Sequence, residues 1–247
     1  AVLELEFDDD VSHFHGIVAR FEQGARGPEF VNYHALLVPR IHLLGLARRS
    51  RVFLGKSVPT IVQEVLEGAG LKSPDDFEIA ATGSPHATRE YTLQYMETDL
   101  AFIMRLMEDE GIYFFFEHGG GRDKLVIIDA KERQKPILGD ATIPFRAARG
   151  SNPGGETVHR LSLRQEILPG SVYLKDYNYR KPSVVPEGKA KAARTGTGQV
   201  EEYGHHFKTP EEGNTVAAWR AEELACRERT WRGQSGCRHF RSGHRFT

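Results

Sequence analysis

The chain has 247 residues, enough to bury a sizeable core in one large domain or two ordinary ones. Its 33 Lys and Arg stand against 34 Asp and Glu, and a net charge of −1 supplies no global drive toward nucleic acid or an anionic membrane. Apolar runs such as residues 112–116 are far too short to cross a bilayer as a helix, and two cysteines, Cys226 and Cys237, make no disulfide framework, which suits a reducing compartment.

The first zone reads as successive strands, FHGIVARFE, FVNYHALLVP and IHLLGLARRSRVFL, between His13 and Leu54, with a Gly-rich turn over 24–28. The middle zone is mixed. Ser57 precedes a helix whose apolar stripe is Ile61, Val62, Val65, Leu66 and Ala69; Pro59 falls in its first turn and Gly70 ends it. Residues 89–95 alternate, with Tyr91, Leu93 and Tyr95 on one face and Thr92 and Gln94 on the other, the period-2 pattern of a half-buried strand. Thr98 then caps a second helix, with Asp99 favoured in its first turn by the helix dipole. Leu100, Ile103, Met104 and Met107 form its apolar face, and Gly111 ends it. An aromatic strand at 112–116, a reversal at Gly119-Gly120-Gly121 and a partner strand at 124–129 complete a hairpin. The Tyr, Met and Phe residues of 89–129 read as the core of an α/β module. In the last zone, strands return over 142–179, broken by a turn cluster at 151–155. Residues 181–198 read as a mobile loop or linker. Thr209-Pro210-Glu211-Glu212 is a capping box opening a helix that runs to about Thr230 and carries Val216, Trp219 and Leu224. No repeat recurs at a period of 20–50 residues.

Candidate chemistry is sparse. Cys226, Cys237, His239 and His244 invite a zinc reading, but structural zinc sites usually begin with a close Cys pair, which is absent. The neighbouring His205 and His206 would point to opposite faces of a strand and chelate poorly. His13 and His15 share a strand face without a carboxylate or cysteine at a supporting spacing. Glu108-Asp109-Glu110 and Asp8-Asp9-Asp10 lack the alternating oxygen ligands and central glycine of a calcium loop and read as solvated acids. No G-x-S-x-G, phosphate-cradling loop or HExxH appears. Arg48, Arg49 and Arg51 cluster beside a strand. Arg227, Arg229, Arg232, Arg238, Arg241 and Arg245, interleaved with Trp231 and Phe240, could pair phosphates and stack bases, but Glu222, Glu223 and Glu228 lie among them. The sequence therefore assigns no catalytic, cofactor-binding or metal-binding residue and no nucleic-acid partner.

Several motifs together resemble one family. LVPRIHLL at 37–44 and KSVP at 56–59 are among them. REY-x-x-QY-x-E-x-D-L-x-F followed by R-L-M-E-x-E-G-I-x-Y-F-F at 89–116 is the most specific, and HFHGIV at 13–18 joins it. The chain is similar through these to the VgrG spike proteins of bacterial type VI secretion and to the hub proteins of contractile phage baseplates. TIPFRA at 142–147, KDYNYRKPS at 175–183, YGHHFKTPEEG at 203–213 and the terminal SGHRF extend the likeness more loosely.

The resemblance implies a mainly β fold with an α+β insertion: two related tube-type β-barrels, with strands of the first at 1–55, the inserted module at 56–130, and the second barrel, a loop and a C-terminal helix at 131–247. It implies a homotrimer that caps the Hcp tube and joins it to a downstream needle, with effectors or a tip protein beyond, and the needle rather than this portion touching the target membrane. Assembly would occur in the cytoplasm before export through the contractile apparatus. Family members ordinarily carry a further strand-rich segment before the HGIV motif, and a small barrel and β-prism needle after the stretch that corresponds to the terminal SGHRFT, so the chain is expected to be the hub portion of a longer protein. A phage or tailocin tail hub is the alternative, and a spike-fused cell-wall-degrading enzyme a more distant one.

Overall fold

A computed structural model describes residues 1–7, 10–27, 30–83, 85–147 and 156–247. Asp8 and Asp9, Pro28 of the expected 24–28 turn and the 151–155 turn cluster lie outside the described residues, as do the side chains of Phe7 and Asp10, and Gly24 to Arg26 continue a strand rather than a turn. The chain forms two compact units. One comprises Ala1–Glu108, Ile112–Ala141 and Arg238–Thr247; the other comprises Asp109–Gly111 and Thr142–Cys237.

The first unit begins with two antiparallel ribbons, β1 (Val2–Phe7) with β2 (Asp10–His15) and β3 (Ile17–Arg26) with β4 (Val31–Val38). The break between β2 and β3 falls at Gly16, where a Cβ would stand 2.5 Å from the carbonyl oxygen of Val38. Residues 40–45, expected to begin a strand, form a 3₁₀ turn instead, Arg40–Gly45. Ile41 and Leu44 are its buried residues, and their spacing of three matches the 3₁₀ period, which a strand would place on opposite faces.

β5 (Arg48–Lys56) pairs antiparallel with β7 (Arg89–Thr98), and β6 (Phe77–Ala80), β9 (Arg122–Ile128) and β8 (Tyr113–Gly119) form a three-stranded sheet with β9 in the centre. The β8–β9 hairpin closes through Gly120 and Gly121, at φ +58° and +78°. Two successive positive φ values make the kind of turn whose twist matches the strands, and they explain the glycines.

Helices α1 (Val58–Gly68) and α2 (Asp99–Asp109) contribute to this unit's largest core, in which Ile61, Leu66, Phe102, Ile103 and Leu106 are fully buried with Phe77 and Ile127 from the sheet. Thr98 caps α2 as expected, its Oγ1 accepting from Ala101 N–H at 3.1 Å. Gly111, at φ +67°, ends it, with Ile112 N–H donating back to Met107 O at 2.8 Å. The buried face differs from the expected one: Phe102, Ile103, Leu106 and Met107 point inward, while Met104 is exposed. Phe102 stacks on Phe53 with centroids 5.5 Å apart, and this aromatic contact turns the helix toward the larger side chain.

In the second unit β10 (Val158–Gln165) pairs with β14 (Arg229–Ser235), and β11 (Ser171–Lys175) lies between antiparallel β12 (Glu187–Lys191) and parallel β13 (Gln199–Tyr203). Helix α3 (Pro210–Ala225) packs on that sheet over Val172, Leu174 and Phe207. Thr209 caps it through Glu212 N–H, although the Glu212 carboxylate reaches Lys208 N–H rather than Thr209 N–H. Two expectations fail here. The 181–198 loop contains strand β12, and α3 stops at Ala225, leaving Thr230 in β14. The buried stripe of α3 is Gly213, Ala217 and Ala221; Val216 and Leu224 flank it, partly buried. The chain is mainly β with an α/β portion, and each sheet among the described residues has two or three strands.

Candidate assembly surfaces

The β5–β7 ribbon has its polar and apolar faces reversed from the simplest reading of its alternation. Thr92 and Gln94 point inward and are buried, whereas Val52, Leu54, Tyr91, Leu93 and Tyr95 are between 39% and 67% exposed. The register sets Val52 against Leu93 and Leu54 against Tyr91, so these apolar side chains form cross-strand pairs on one outward face. Tyr91 and Tyr95 are thus not core residues.

The inward face can be polar because Gln94 is fully engaged, although the buried Thr92 hydroxyl has no hydrogen-bond partner. Gln94 accepts from Arg51 Nε at 2.9 Å and donates through Nε2 to Asp99 Oδ1 at 2.8 Å and to Glu97 O at 3.1 Å. Arg51 Nη2 also meets Asp99 Oδ1 at 2.6 Å, and Arg49 Nε lies 3.3 Å from Asp99 Oδ2. Asp99 stands at the positive N-terminal end of α2, which favours its charge. Arg49 and Arg51 are therefore structural partners of a buried carboxylate.

Other ribbons share the outward apolar character. In β10–β14, Leu161, Leu163 and Trp231 are 42–60% exposed, with Leu163 directly opposite Trp231. In β3–β4, Phe21 stacks on Tyr33 at 5.5 Å with both rings more than half exposed. Val2, Leu3, Leu5 and Val11 are exposed on β1–β2. A lone two-stranded ribbon is marginal in water, and an exposed apolar face with open edges is the usual mark of a surface made for another chain.

The titratable candidates are dispersed. Cys226 Sγ lies 2.9 Å from Glu223 O, and Cys237 Sγ lies 3.1 Å from Glu156 Oε2. His239 lies beside Gly139, and His244 meets the ring of Phe115. His205 pairs with Glu202 at 3.0 Å, and His206 takes φ +66° as its N–H donates to Asp176. The rings of His13 and His15 share a face as expected and stack 6.0 Å apart rather than converging on a point. Among the described residues no group of three His, Cys, Asp or Glu could hold a metal ion. Of the arginines considered for nucleic acid, Arg227 pairs with Glu223, Arg229 and Arg232 lie on β14, and Arg238, Arg241 and Arg245 belong to the terminal segment of the first unit.

One polar cluster has no local signal in the sequence. Arg40 donates from Nη2 to Asp76 at 2.7 Å and from Nε and its backbone N–H to Asp123 at 3.0 and 2.5 Å. The Arg40 hydrogen bond holds the Asp76 carboxyl below the usual carboxylate range, against the opposing effect of burial. The cluster lines an open cleft of about 490 Å³ together with His15, Lys72 and Arg122. Its carboxylates already serve the guanidinium, which makes the cluster a brace across three segments.

A family model described as the phage tail baseplate hub (GPD) matches residues 1–247. Among curated proteins, the type VI secretion system spike protein VgrG1b of Pseudomonas aeruginosa is 32% identical over all of this chain and 33% of its own length. VgrG1a of the same organism is 33% identical over 94% of the chain and 36% of its own length. Among solved structures, the E. coli c3393 protein, a type VI secretion component with structural similarity to T4 tail proteins gp27 and gp5, superposes with a TM-score of 0.68 at 18% identity, over 98% of this chain and 52% of that one. The 43 kDa tail protein of prophage MuSo2 from Shewanella oneidensis superposes at 0.58 and 11% identity, over 93% of this chain and 65% of that one. The chain spans about a third of the length of these curated relatives.

Proposed function

Because the chain belongs to the phage tail baseplate hub family, we propose that it is the structural hub of a type VI secretion spike, which assembles as three copies, caps the Hcp tube and carries the needle. The observation that carries the reading is the outward apolar face of β5–β7, Val52, Leu54, Tyr91, Leu93 and Tyr95, raised on the hydrogen-bonded Arg51–Gln94–Asp99 network. A spike must hold its shape under a push, and polar groups locked behind an apolar docking face give a rigid surface without catalytic chemistry. The strands of 1–55 and 131–247 would build the two tube-type barrels of each copy, with the 56–130 module inserted between them.

Sequence identity above 30% lies with secretion spike proteins, whereas the prophage tail protein is alike at the level of fold. This favours secretion over a phage tail. The actin cross-linking toxin VgrG1 of Vibrio cholerae is 29% identical over 96% of this chain but only 21% of its own length. That proportion supports a hub portion without the toxin's activity. Hub assembly in the cytoplasm, followed by export through the apparatus, completes the reading.

Native mass spectrometry and light scattering over a concentration series test it. A trimer that Leu54→Glu together with Tyr91→Glu reduces to folded monomer is the expected result. A wild-type chain that remains monomeric at every concentration, or a double variant that assembles as wild type, overturns assembly through this surface.

A further inference from the structure

The C-terminal segment Arg238–Thr247 is strapped onto the first unit in two ways. Its backbone runs beside residues 135–141: Arg245 N–H donates to Lys135 O at 2.8 Å, Ile137 N–H to Arg245 O at 3.0 Å, and Thr247 N–H to Ala141 O at 2.8 Å. Its side chains engage rings. Gly243 lies so close on Phe115 that a Cβ would fall inside the ring's van der Waals envelope, and the His244 ring meets Phe115 edge-on at 5.4 Å. The Arg241 guanidinium sits 4.1 Å from the centroid of Phe14, the same ring that packs against His118 at 5.4 Å.

His118, at the end of β8, receives the backbone N–H of His15 on Nδ1 at 3.1 Å. An N–H donor requires a lone pair there, so this bond exists only with Nδ1 unprotonated. The charged and titratable groups around the ring come from each neighbouring element. β2 contributes His15, with rings 6.4 Å apart, and His13 beyond it; β1 contributes Glu4, 3.6 Å from His13. Asp123 lies opposite on β9 but is already bound by Arg40. Glu117, the preceding residue of β8, is taken by Lys135 at 2.7 Å, and the strap brings Arg241.

We propose that His118 is a proton-operated latch for the strap: neutral, it holds β2 through the His15 N–H and leaves Arg241 seated on Phe14; protonated at Nδ1, it loses that bond, adds a second cation near Arg241 and loosens Arg238–Thr247 from Phe14 and Phe115. Burial first, then Arg241 and His15, push the His118 imidazole below its ordinary value of 6.5, against an opposing pull from Asp123. The sign follows from that direction. The docked state favours the neutral ring, so the latch's stabilisation is complete above the ordinary imidazole value. It declines as pH falls below that value and is lost once pH passes under the docked ring's lower one. Each unit of separation between docked and open values biases the strap about tenfold.

Hydrogen exchange of the full chain, corrected for the intrinsic pH dependence and followed from about pH 7.5 to about pH 5, reads the latch directly. Protection of 238–247 should fall about tenfold per unit of pKa separation, while β6 in the core keeps its protection. His118→Asn retains an acceptor near the Nδ1 position and cannot take up the proton, so its strap should show no acid-induced loss. In the wild-type chain, NMR titration of the His118 ring should share its midpoint with strap opening, a readout independent of any variant. An unchanged acid response in H118N, a strap indifferent to pH, or a ring midpoint apart from the strap's overturns the proposal.

Discussion

Arg40 bridges two carboxylates that are almost entirely buried: the side chains of Asp76 and Asp123 are 8% and 4% exposed. Removing the guanidinium leaves Asp76 with Lys72 N–H and Arg122 and leaves Asp123 with the backbone N–H of residue 40, and a buried charge that loses its main counter-ion costs more than the pair was favourable. Arg40→Ala should therefore destabilise the chain at neutral pH by about 2–4 kcal/mol in urea titrations, the lower end reflecting the partial exposure of Arg40 itself. Arg40→Lys should fall between, since a single ammonium cannot reproduce the fork that reaches both acids. The deficit is pH-dependent with a defined sign. Asp76 is depressed below its ordinary 3.8 mainly by Arg40, so its contribution is present above that value and is lost as pH falls through the lower folded one. The gap between wild type and Arg40→Ala should narrow in strong acid; a gap that stays constant would assign the loss to packing alone. None of this was legible in the sequence, because Arg40, Asp76 and Asp123 lie far apart in the chain and only the fold of three segments brings them together. At exposed Leu54 or Tyr91, by contrast, single substitutions should change monomer stability by no more than about 0.5 kcal/mol.

Strand β12 and helix α3 show why one element escaped the sequence and its partner did not. The helix has a proline in its first turn and a hydroxyl cap, both readable in linear order. The strand is EGKAK, whose inward positions are Gly188 and Ala190, so no apolar alternation marks it. Those small residues are required by the approach of the helix: a Cβ on Gly188 would collide with the backbone of Gly213 on α3. Gly188→Ala should cost about 2–3 kcal/mol, with a matching fall in the thermal midpoint, because backbone must separate from backbone. If the melt is unaffected, the close approach is not a constraint on this unit. The alternation of 89–95 was also legible, yet its direction was not. Period 2 says which residues share a face, and only the Arg51–Gln94–Asp99 network decides that the polar face goes in.

Across the molecule, burial and exposure are divided between different elements. The α/β module and the β11–α3 layer hold cores of fully buried side chains, whereas β3–β4 and β10–β14 are exposed along most of their length. The three helices and the β8–β9 hairpin followed from periodicity and caps, whereas β6 and β12 carried no such mark, and the 3₁₀ turn Arg40–Gly45 and strand β14 stand where a strand and the end of a helix were expected. The assembly faces did not, since an apolar strand reads alike whether a core or another subunit covers it. In the free chain, amides of β3–β4 and β10–β14 should exchange well before those of α1 and α2, and assembly should protect the ribbons without altering the helices. Protection of the ribbons equal to the core in a monomer would remove the need for a partner. The strap has a further consequence in time. Phe14 and Phe115 are made early, but the residues that cover them, 241 to 244, leave the ribosome only after the whole second unit has been translated. At a rate of about 5–20 residues per second, the first unit waits roughly 5–20 s in an unfinished state, and its two aromatic rings stay uncovered until residues 241 to 244 have emerged.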